Sequence, residues 1–354
     1  MKMRNYLINM VLVCAISAAF LNAFAWAGEE PVSETPAPVI EKAPATLEAQ
    51  GAGVAAMSAG GGETLPAVSP SAIGGAFSSL MSESFKTDLA TGAATLSIPI
   101  VVPPGRKNVQ PNIALSYSSN NPNGICGVGW GLPVSAIQRS TKNGVPYYNN
   151  IKDTFLAGGE ELVNIGGDEY RAKMESSFTK YTYISADNKW LVTDKSGTQY
   201  HFGSIPESPE DTMPRLSHPN KPASVLAWFI DKAVDVYGNT ITYKYEKYDD
   251  TLYLKYIDYT SNPAALLSAD KRIEFVYEDR PDDIYSNRAG WPQATKRRLK
   301  NIKISLSGQV IWTYSLIYEI STDTHRSLLK SIQLADGAGN TLPAKTFGYQ
   351  HLEP

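Results

Sequence analysis

Apolar and polar residues alternate in steps of two along most of this chain, and that period dictates strands. Leu96, Ile98 and Ile100 alternate with Thr95, Ser97 and Pro99, while Ile113, Leu115 and Tyr117 alternate with Ala114, Ser116 and Ser118. Pro103-Pro104-Gly105 supplies a turn signal between the two runs. The same texture returns at residues 181–184, 190–192, 200–202, 241–245, 273–277, 302–304 and 310–318. Ser307-Gly308-Gln309 separates the last two and predicts a hairpin. Twenty tyrosines fit the same picture, because Tyr, Val, Ile and Thr suit a pleated, half-buried surface. Two short stretches, residues 222–230 and 264–268, read as helix. The expected fold is all-β, built on a large curved antiparallel sheet.

A glycine–tryptophan cluster punctuates this pattern. Gly124, Gly127, Gly129 and Gly131 surround Cys126 and Trp130, and Leu132-Pro133 follows. Ordering glycine is entropically costly, so such a cluster belongs where backbone bends sharply or a second backbone comes close. Trp130 is a large apolar anchor for the bend. A phosphate loop would need Gly-Lys-Ser/Thr, or a strand, G-x-G-x-x-G and then a helix. The spacing of Gly127, Gly129 and Gly131 matches neither. A tightly packed β corner is therefore expected, not a ligand loop.

The amino-terminal region is organised differently. Lys2 and Arg4 precede an apolar run from Val11 to Leu21, and Ala25-Trp26-Ala27 offers a small-x-small cleavage site. Residues 1–27 are thus expected to be a signal peptide, whose apolar run is too short to span a bilayer comfortably. Val13 is a poor match to the small residue expected ahead of a lipid-modified cysteine, which disfavours Cys14 as a lipid anchor. Residues 28–76 hold no aromatic residue until past Gly75 and are rich in Pro, Ala, Ser and Gly, the composition of a disordered linker. The β domain is expected over residues 77–354. After cleavage Cys126 is the remaining cysteine, so stability must come from a hydrophobic core. A formal net charge of −3 gives no basic field for nucleic acid or an anionic membrane, and no later segment reaches membrane-spanning length.

Three stretches share Asp-x-x-Gly and then a polar residue: Asp194 with Gly197, Asp235 with Gly238 and Asn239, and Asp336 with Gly339 and Asn340. One Asp per repeat is too few for a calcium loop, so these read as turns in which Asp bonds its own backbone. Catalytic groups do not assemble by spacing. Cys126 has no histidine partner motif among His201, His218, His325 and His351, and no H-x-x-x-H or C-x-x-C pair suggests zinc. Asp249-Asp250 and Asp282-Asp283 are sequence neighbours, not opposed carboxylates, and read as solvated turns. Lys296-Arg297-Arg298 reads as a strand-edge guard. No catalytic residue, cofactor or metal ligand is expected.

The ordered series Phe85 to Pro99, Gln110 to Ser118, Gly127-Val-Gly129-Trp130-Gly131-Leu132-Pro133 and Ile137-Gln-Arg139-Ser-Thr141 resembles the amino-terminal domain of SpvB-type virulence proteins. The same domain opens the B component of insecticidal Tc toxins. Asp153-Thr-Phe155-Leu156, Gly159-Glu-Glu161-Leu162-Val163 and Leu329-Lys330-Ser331-Ile332 continue the likeness, and Asp235-Val-Tyr-Gly238-Asn239-Thr-Ile241 resembles YD/Rhs repeats. The likeness runs from about Ser82 to Gln350. It implies part of a hollow Rhs/Tc-like β shell that encloses a toxic segment, or a domain that precedes an actin-modifying ADP-ribosyltransferase. Gly127, Gly129, Trp130, Gly131, Leu132, Pro133, Arg139, Asp235, Gly238 and Asn239 are then structural motif residues.

By that resemblance the chain is a secreted, non-catalytic scaffold that houses, presents or helps export a toxin module. Its partners would be a downstream Rhs or toxin polypeptide or Tc-type subunits, and family toxins can reach the host cytoplasm. Arg139-Ser140-Thr141 and Glu160-Glu161 only superficially echo an ADP-ribosyltransferase, since Arg, Ser and Thr are contiguous and the Glu pair lacks its intervening residue. The chain stops at Pro354, just after a strand expected at 346–349, where relatives continue; a truncated, split or short family member is expected, with sticky sheet edges. A different reading is a glycan- or host-protein-binding surface of exposed tyrosines and tryptophans, with Trp190, Trp228, Trp291 and Trp312 as candidates, although a core role is the favoured one for these four.

Overall fold

The computed structural model describes residues 86–87 and 92–349. The expected leader over 1–27, the linker over 28–76 and the first motif residues, Phe85 and 88–91, lie outside the described residues. A first layer comprises β1 (Lys86–Thr87), β2 (Ala94–Ile100) and β3 (Ile113–Ser118). The small hairpin β4 (Asn123–Gly124) and β5 (Gly127–Val128) follows, and then β6 (Trp130–Gly131), which pairs with β3. Alternation sets the register: Ile98 lies opposite Leu115 and Ile100 opposite Ile113, and all four are buried.

The second part is a meander that closes on itself. It runs β7 (Ala136–Arg139), β8 (Phe155–Ala157), β9 (Glu160–Gly166), β10 (Glu169–Ala172), β11 (Lys180–Ile184), β12 (Lys189–Thr193) and β13 (Gln199–Phe202). A short β14 (Arg215–His218) then leads into the long β15 (Lys221–Val234). One half of β15 pairs with β7 through Ala227, Trp228 and Phe229, and the other half pairs with β13 from Ile230 to Val234. The ring of eight strands is thereby complete, leaving no free edge around this barrel. Ile137, Phe155, Leu162, Tyr170, Trp190 and Trp228 fill it.

Residues 222–230, expected as helix, are therefore strand. The reason is burial on both faces. Val225, Trp228 and Ile230 join the barrel core, whereas Leu226 packs outward with Ala289 and Trp291. A doubly covered strand reads as a continuous apolar run, which periodicity cannot distinguish from a short buried helix.

From β15 the sheet continues as an open meander: β16 (Thr240–Tyr248), β17 (Thr251–Ser261), β18 (Lys271–Ser286), β19 (Gln293–Leu306), β20 (Gln309–Ile320), β21 (Ser327–Asp336) and β22 (Lys345–Thr346). The β19–β20 turn is the expected hairpin, with Ser307 and Gly308 both at positive φ. The second expected helix shrinks to one 3-10 turn, Pro263–Ala265, capped by the Asn262 side chain and ended by Leu266 in the left-handed region. It has to reverse the chain between β17 and β18, and the Asn262–Leu267 bridge leaves no room for a longer helix. The strand expected at 346–349 is shorter, with Phe347 N–H still donating to the Lys330 carbonyl at 2.9 Å.

The first layer covers the open sheet, and the core between them joins Ile98, Leu115 and Trp130 to Ile257, Ile302 and Ile332. Val134, Tyr200 and Tyr243 touch both this core and the barrel core. Among the described residues no helix is long and apolar enough to cross a membrane.

Candidate functional site

The glycine–tryptophan bend is where the two layers lock together. Gly127 has φ +89°, and a Cβ there would lie 2.7 Å from the Ser327 carbonyl oxygen at the start of β21. Gly129 has φ +78°, and its Cβ would meet the Tyr117 ring at 2.4 Å. Both positions demand glycine twice over, for conformation and for space. Gly131 pairs with Ser116 on β3, Leu132 is buried in the core, and Pro133 is exposed on the way into β7.

Trp130 is buried between Tyr117 and Phe347, with ring centroids 5.3 and 4.7 Å away. Its indole N–H donates to the Tyr349 hydroxyl at 3.0 Å, and that hydroxyl donates to the Leu329 carbonyl at 2.9 Å. The bend thus clasps the segment that follows β22.

Beneath the bend lies a polar node that spacing did not reveal. Arg280 donates to the Gly124 carbonyl and to Asn123 Oδ1, both at 3.0 Å, and forks onto Asp282 at 3.1 and 3.0 Å. Asp282 also accepts from Asn123 Nδ2 at 2.9 Å, Ser327 N–H at 2.7 Å and Ser327 Oγ at 2.5 Å. Burial works to raise the Asp282 carboxyl, but the bonds from Arg280, Ser327 and Asn123 overcome it and hold the group well below the usual carboxylate range. The expectation of a solvated turn is therefore corrected for Asp282, whose side chain is 7% exposed against a fully buried Arg280. Pro281 was the available signal: a proline inside a long β run marks a bulge, and the β18 register does shift between Asp279 and Ile284.

Arg139 on β7 is a second buried node. Its guanidinium donates to the Val225 carbonyl at 2.9 Å, Asp153 Oδ2 at 2.9 Å and Asn150 Oδ1 at 2.7 Å. It also sits over the Phe155 and Trp228 rings at 4.9 and 5.3 Å. Asp153 in turn accepts from Tyr147 and Asn149 N–H, which fixes the loop ahead of β8.

Asp235, Gly238 and Asn239 form the β15–β16 turn. Asp235 Oδ1 accepts from Tyr237 and Asn239 N–H at 2.9 and 2.7 Å, and Oδ2 from Asn239 Nδ2 at 2.8 Å. Asp336 repeats all three bonds with Ala338 and Asn340, and Asp194 repeats the Oδ1 pair with Ser196 and Thr198. Their glycines, at 197, 238 and 339, all take positive φ. The turn reading holds because each carboxylate is occupied by local N–H donors. The ten motif residues thus serve as three separate packing points and are not gathered around one pocket.

Other sequence candidates resolve likewise. Cys126 is fully buried and its thiol is pushed up to about 12 by burial, which Arg280 only partly offsets, so it is the small buried residue expected. Trp190, Trp228, Trp291 and Trp312 are all buried, the core role favoured for them, which removes them as an exposed recognition face. Lys296, Arg297 and Arg298 lie in the part of β19 that pairs with β18 but not with β20, and they face Asp249, Glu246 and Glu278. A cleft of about 850 Å³, lined by Pro111, Ile137, Tyr181, Tyr200 and Tyr243, opens where the barrel meets the two-layer part.

Comparison with known proteins accounts for this architecture. The family model described as Salmonella virulence plasmid 65kDa B protein, SpvB, matches residues 88–181 and 166–276, more than half of the chain. Mono(ADP-ribosyl)transferase SpvB of Salmonella choleraesuis strain SC-B67 is 26% identical over 258 residues, 64% of this chain and 39% of that protein. The counterpart from Salmonella typhimurium strain 14028s matches to the same extent. The chain thus corresponds to about two-fifths of the length of these curated relatives. The crystal structure of TcdB2-TccC3 shares the fold with a TM-score of 0.66 at 21% identity, over 77% of this chain and 17% of that one. The amino-terminal domain of the effector SpvB from Salmonella typhimurium strain LT2 superposes with a TM-score of 0.54 at 20% identity, over 67% of this chain and 98% of that one. With the ordered motifs, the closed barrel and the family match in agreement, the chain belongs to the SpvB family.

Proposed function

We propose that this chain is the non-enzymatic, exported β scaffold of a toxin. It houses, presents or helps export a toxin module carried on a following polypeptide or on a Tc-type partner subunit. What supports this reading is the use made of the family motif. Gly127, Trp130 and Arg139 are engaged in holding strand to strand, and the bend clasps Phe347 and Tyr349 at the far flank of the sheet. A wall with one flank closed as a barrel and the other continuing strand by strand is suited to extension by more sheet.

Co-expression of the full chain with a Tc-type or Rhs-type polypeptide tests the carrier role, and co-elution at fixed stoichiometry is expected. Separate elution would overturn it. Incubation of the purified chain with NAD and actin is expected to leave actin unmodified, whereas robust transfer would overturn the non-enzymatic half. Export is tested by fractionating cells that express the chain with and without residues 1–27; only the longer form should leave the cytoplasm.

A further inference from the structure

Residues 203–214, between β13 and β14, arch over the outer face of the sheet where β13, β15 and β16 run side by side. Three contacts fasten the arch. Ser204 N–H donates to Asp231 Oδ2 at 2.8 Å, Lys232 pairs with Glu207 at 2.8 Å, and Lys244 pairs with Asp211 at 3.1 Å. Beneath it is a cavity of about 430 Å³, within the range of small-ligand sites.

Its walls carry several hydroxyls. Thr240 and Thr242 come from β16, Ser261 from the end of β17, and Ser208 and Thr212 from the arch, with His201 beside them. Thr240 and Ser261 already donate to the Gly238 and Thr240 carbonyls and can only accept, while Thr242, Ser208 and Thr212 can both donate and accept, the pattern that a polyhydroxylated ligand needs. The charges are also informative. Each lysine lining the cavity is matched by an arch carboxylate, which leaves Asp231 without an ion-pair partner among the described residues. Burial raises its carboxyl, an effect that the Ser204 bonds only partly offset, and burial lowers the imidazole of His201. One partly desolvated carboxylate outside the two ion pairs therefore faces the cavity beside the hydroxyls, with Lys232 and His201 near enough to favour its ionised form.

We propose that this cavity binds an amino sugar, with the ring hydroxyls against the serine and threonine side chains and the ammonium against Asp231. The inference is independent of the scaffold role, since none of these residues belongs to the bend or to Arg139. An ammonium favours the ionised carboxylate, so affinity falls on acidification, as Asp231 takes up its proton.

Titration of the full chain with glucosamine, glucose, N-acetylglucosamine and lysine, followed by calorimetry and by the His201 ring resonances, tests the proposal. Glucosamine should bind at least about tenfold tighter than glucose or N-acetylglucosamine, the scale of one charge-assisted hydrogen bond, and should shift the His201 signals. Lysine, which lacks the hydroxyls, should bind more weakly than glucosamine. Asp231→Asn should bring glucosamine down to the level of glucose. Thr242→Val, which keeps the charge, should weaken both sugars together. Equal binding of glucosamine and glucose, indifference to Asp231→Asn, lysine binding as tightly as glucosamine, or unmoved His201 signals would each overturn it.

Discussion

The indole N–H of Trp130 donates to the hydroxyl of Tyr349 at 3.0 Å, across 219 residues of sequence. The Tyr349 hydroxyl passes the chain of bonds on to Leu329, so one ring links the bend, β21 and the segment after β22. Tyr349→Phe leaves a buried indole donor without its acceptor and takes one donor from the Leu329 carbonyl. The expected loss is about 1–3 kcal/mol in urea unfolding, the cost of unsatisfied buried polar groups. Trp130→Ala removes the anchor itself, and about 3–5 kcal/mol is expected. Equal stability of Tyr349→Phe and the parent chain would show that the clasp contributes nothing.

Gly127 and Gly131 make a matched pair. An alanine Cβ at 127 would meet the Ser327 carbonyl at 2.7 Å with φ at +89°, whereas at 131 the nearest atom is the Ser116 hydroxyl at 4.0 Å. Gly127→Ala is expected to lose about 1–3 kcal/mol or more, and Gly131→Ala to stay within about 1 kcal/mol. Thermal denaturation of the two variants side by side decides it; similar melting temperatures would remove the close-approach argument.

The strands of the two-layer part were legible because one face of each is buried and the other is wet, which prints the period of two onto the sequence. Barrel closure was not, since it depends on β13 meeting β15 across the residues that build the arch and β14. Residues 222–230 misled for a related reason: cover on both faces erases alternation. At the bend, glycine spacing carried the answer directly. The Arg280–Asp282 node was obscured because its partners, Asn123 and Ser327, come from distant strands.

Arg139 and Asp153 bury opposite charges, with side chains 3% exposed on each side and 2.9 Å between them. Removing one partner strands the other, so Asp153→Ala is expected to lose about 3–5 kcal/mol. Replacing both, as Arg139→Met with Asp153→Leu, should lose less than the sum of the two single changes. A double-mutant cycle by chemical denaturation reads the difference, and strict additivity would mean that the pair is not coupled.

Cys126 should be silent in the folded protein. Burial raises its thiol to about 12 and blocks access, and the thiolate is the reactive form. With Cys14 replaced by serine, a thiol reagent at pH 8 is expected to label the chain only in denaturant, or at a rate that follows global opening. Stoichiometric labelling within seconds under native conditions would contradict the packing around the bend.

Asp282 sets the sign of one part of the acid response. Its folded-state carboxyl lies below the usual value while the unfolded one titrates near about 4. Below that value the unfolded chain binds a proton that the folded chain does not, so unfolding becomes easier as pH falls. The stabilisation is complete above about pH 5 and is lost progressively from about pH 4 downward, through the depressed folded value. Asp282→Asn keeps the shape but carries no charge, so it lowers stability at pH 7 yet removes this titration. Urea midpoints of parent and variant at pH 7, 5, 4 and 3 should therefore converge as the solution is acidified. A gap that stays constant across the series would mean that Arg280, Asn123 and Ser327 do not favour the ionised carboxylate over a neutral amide.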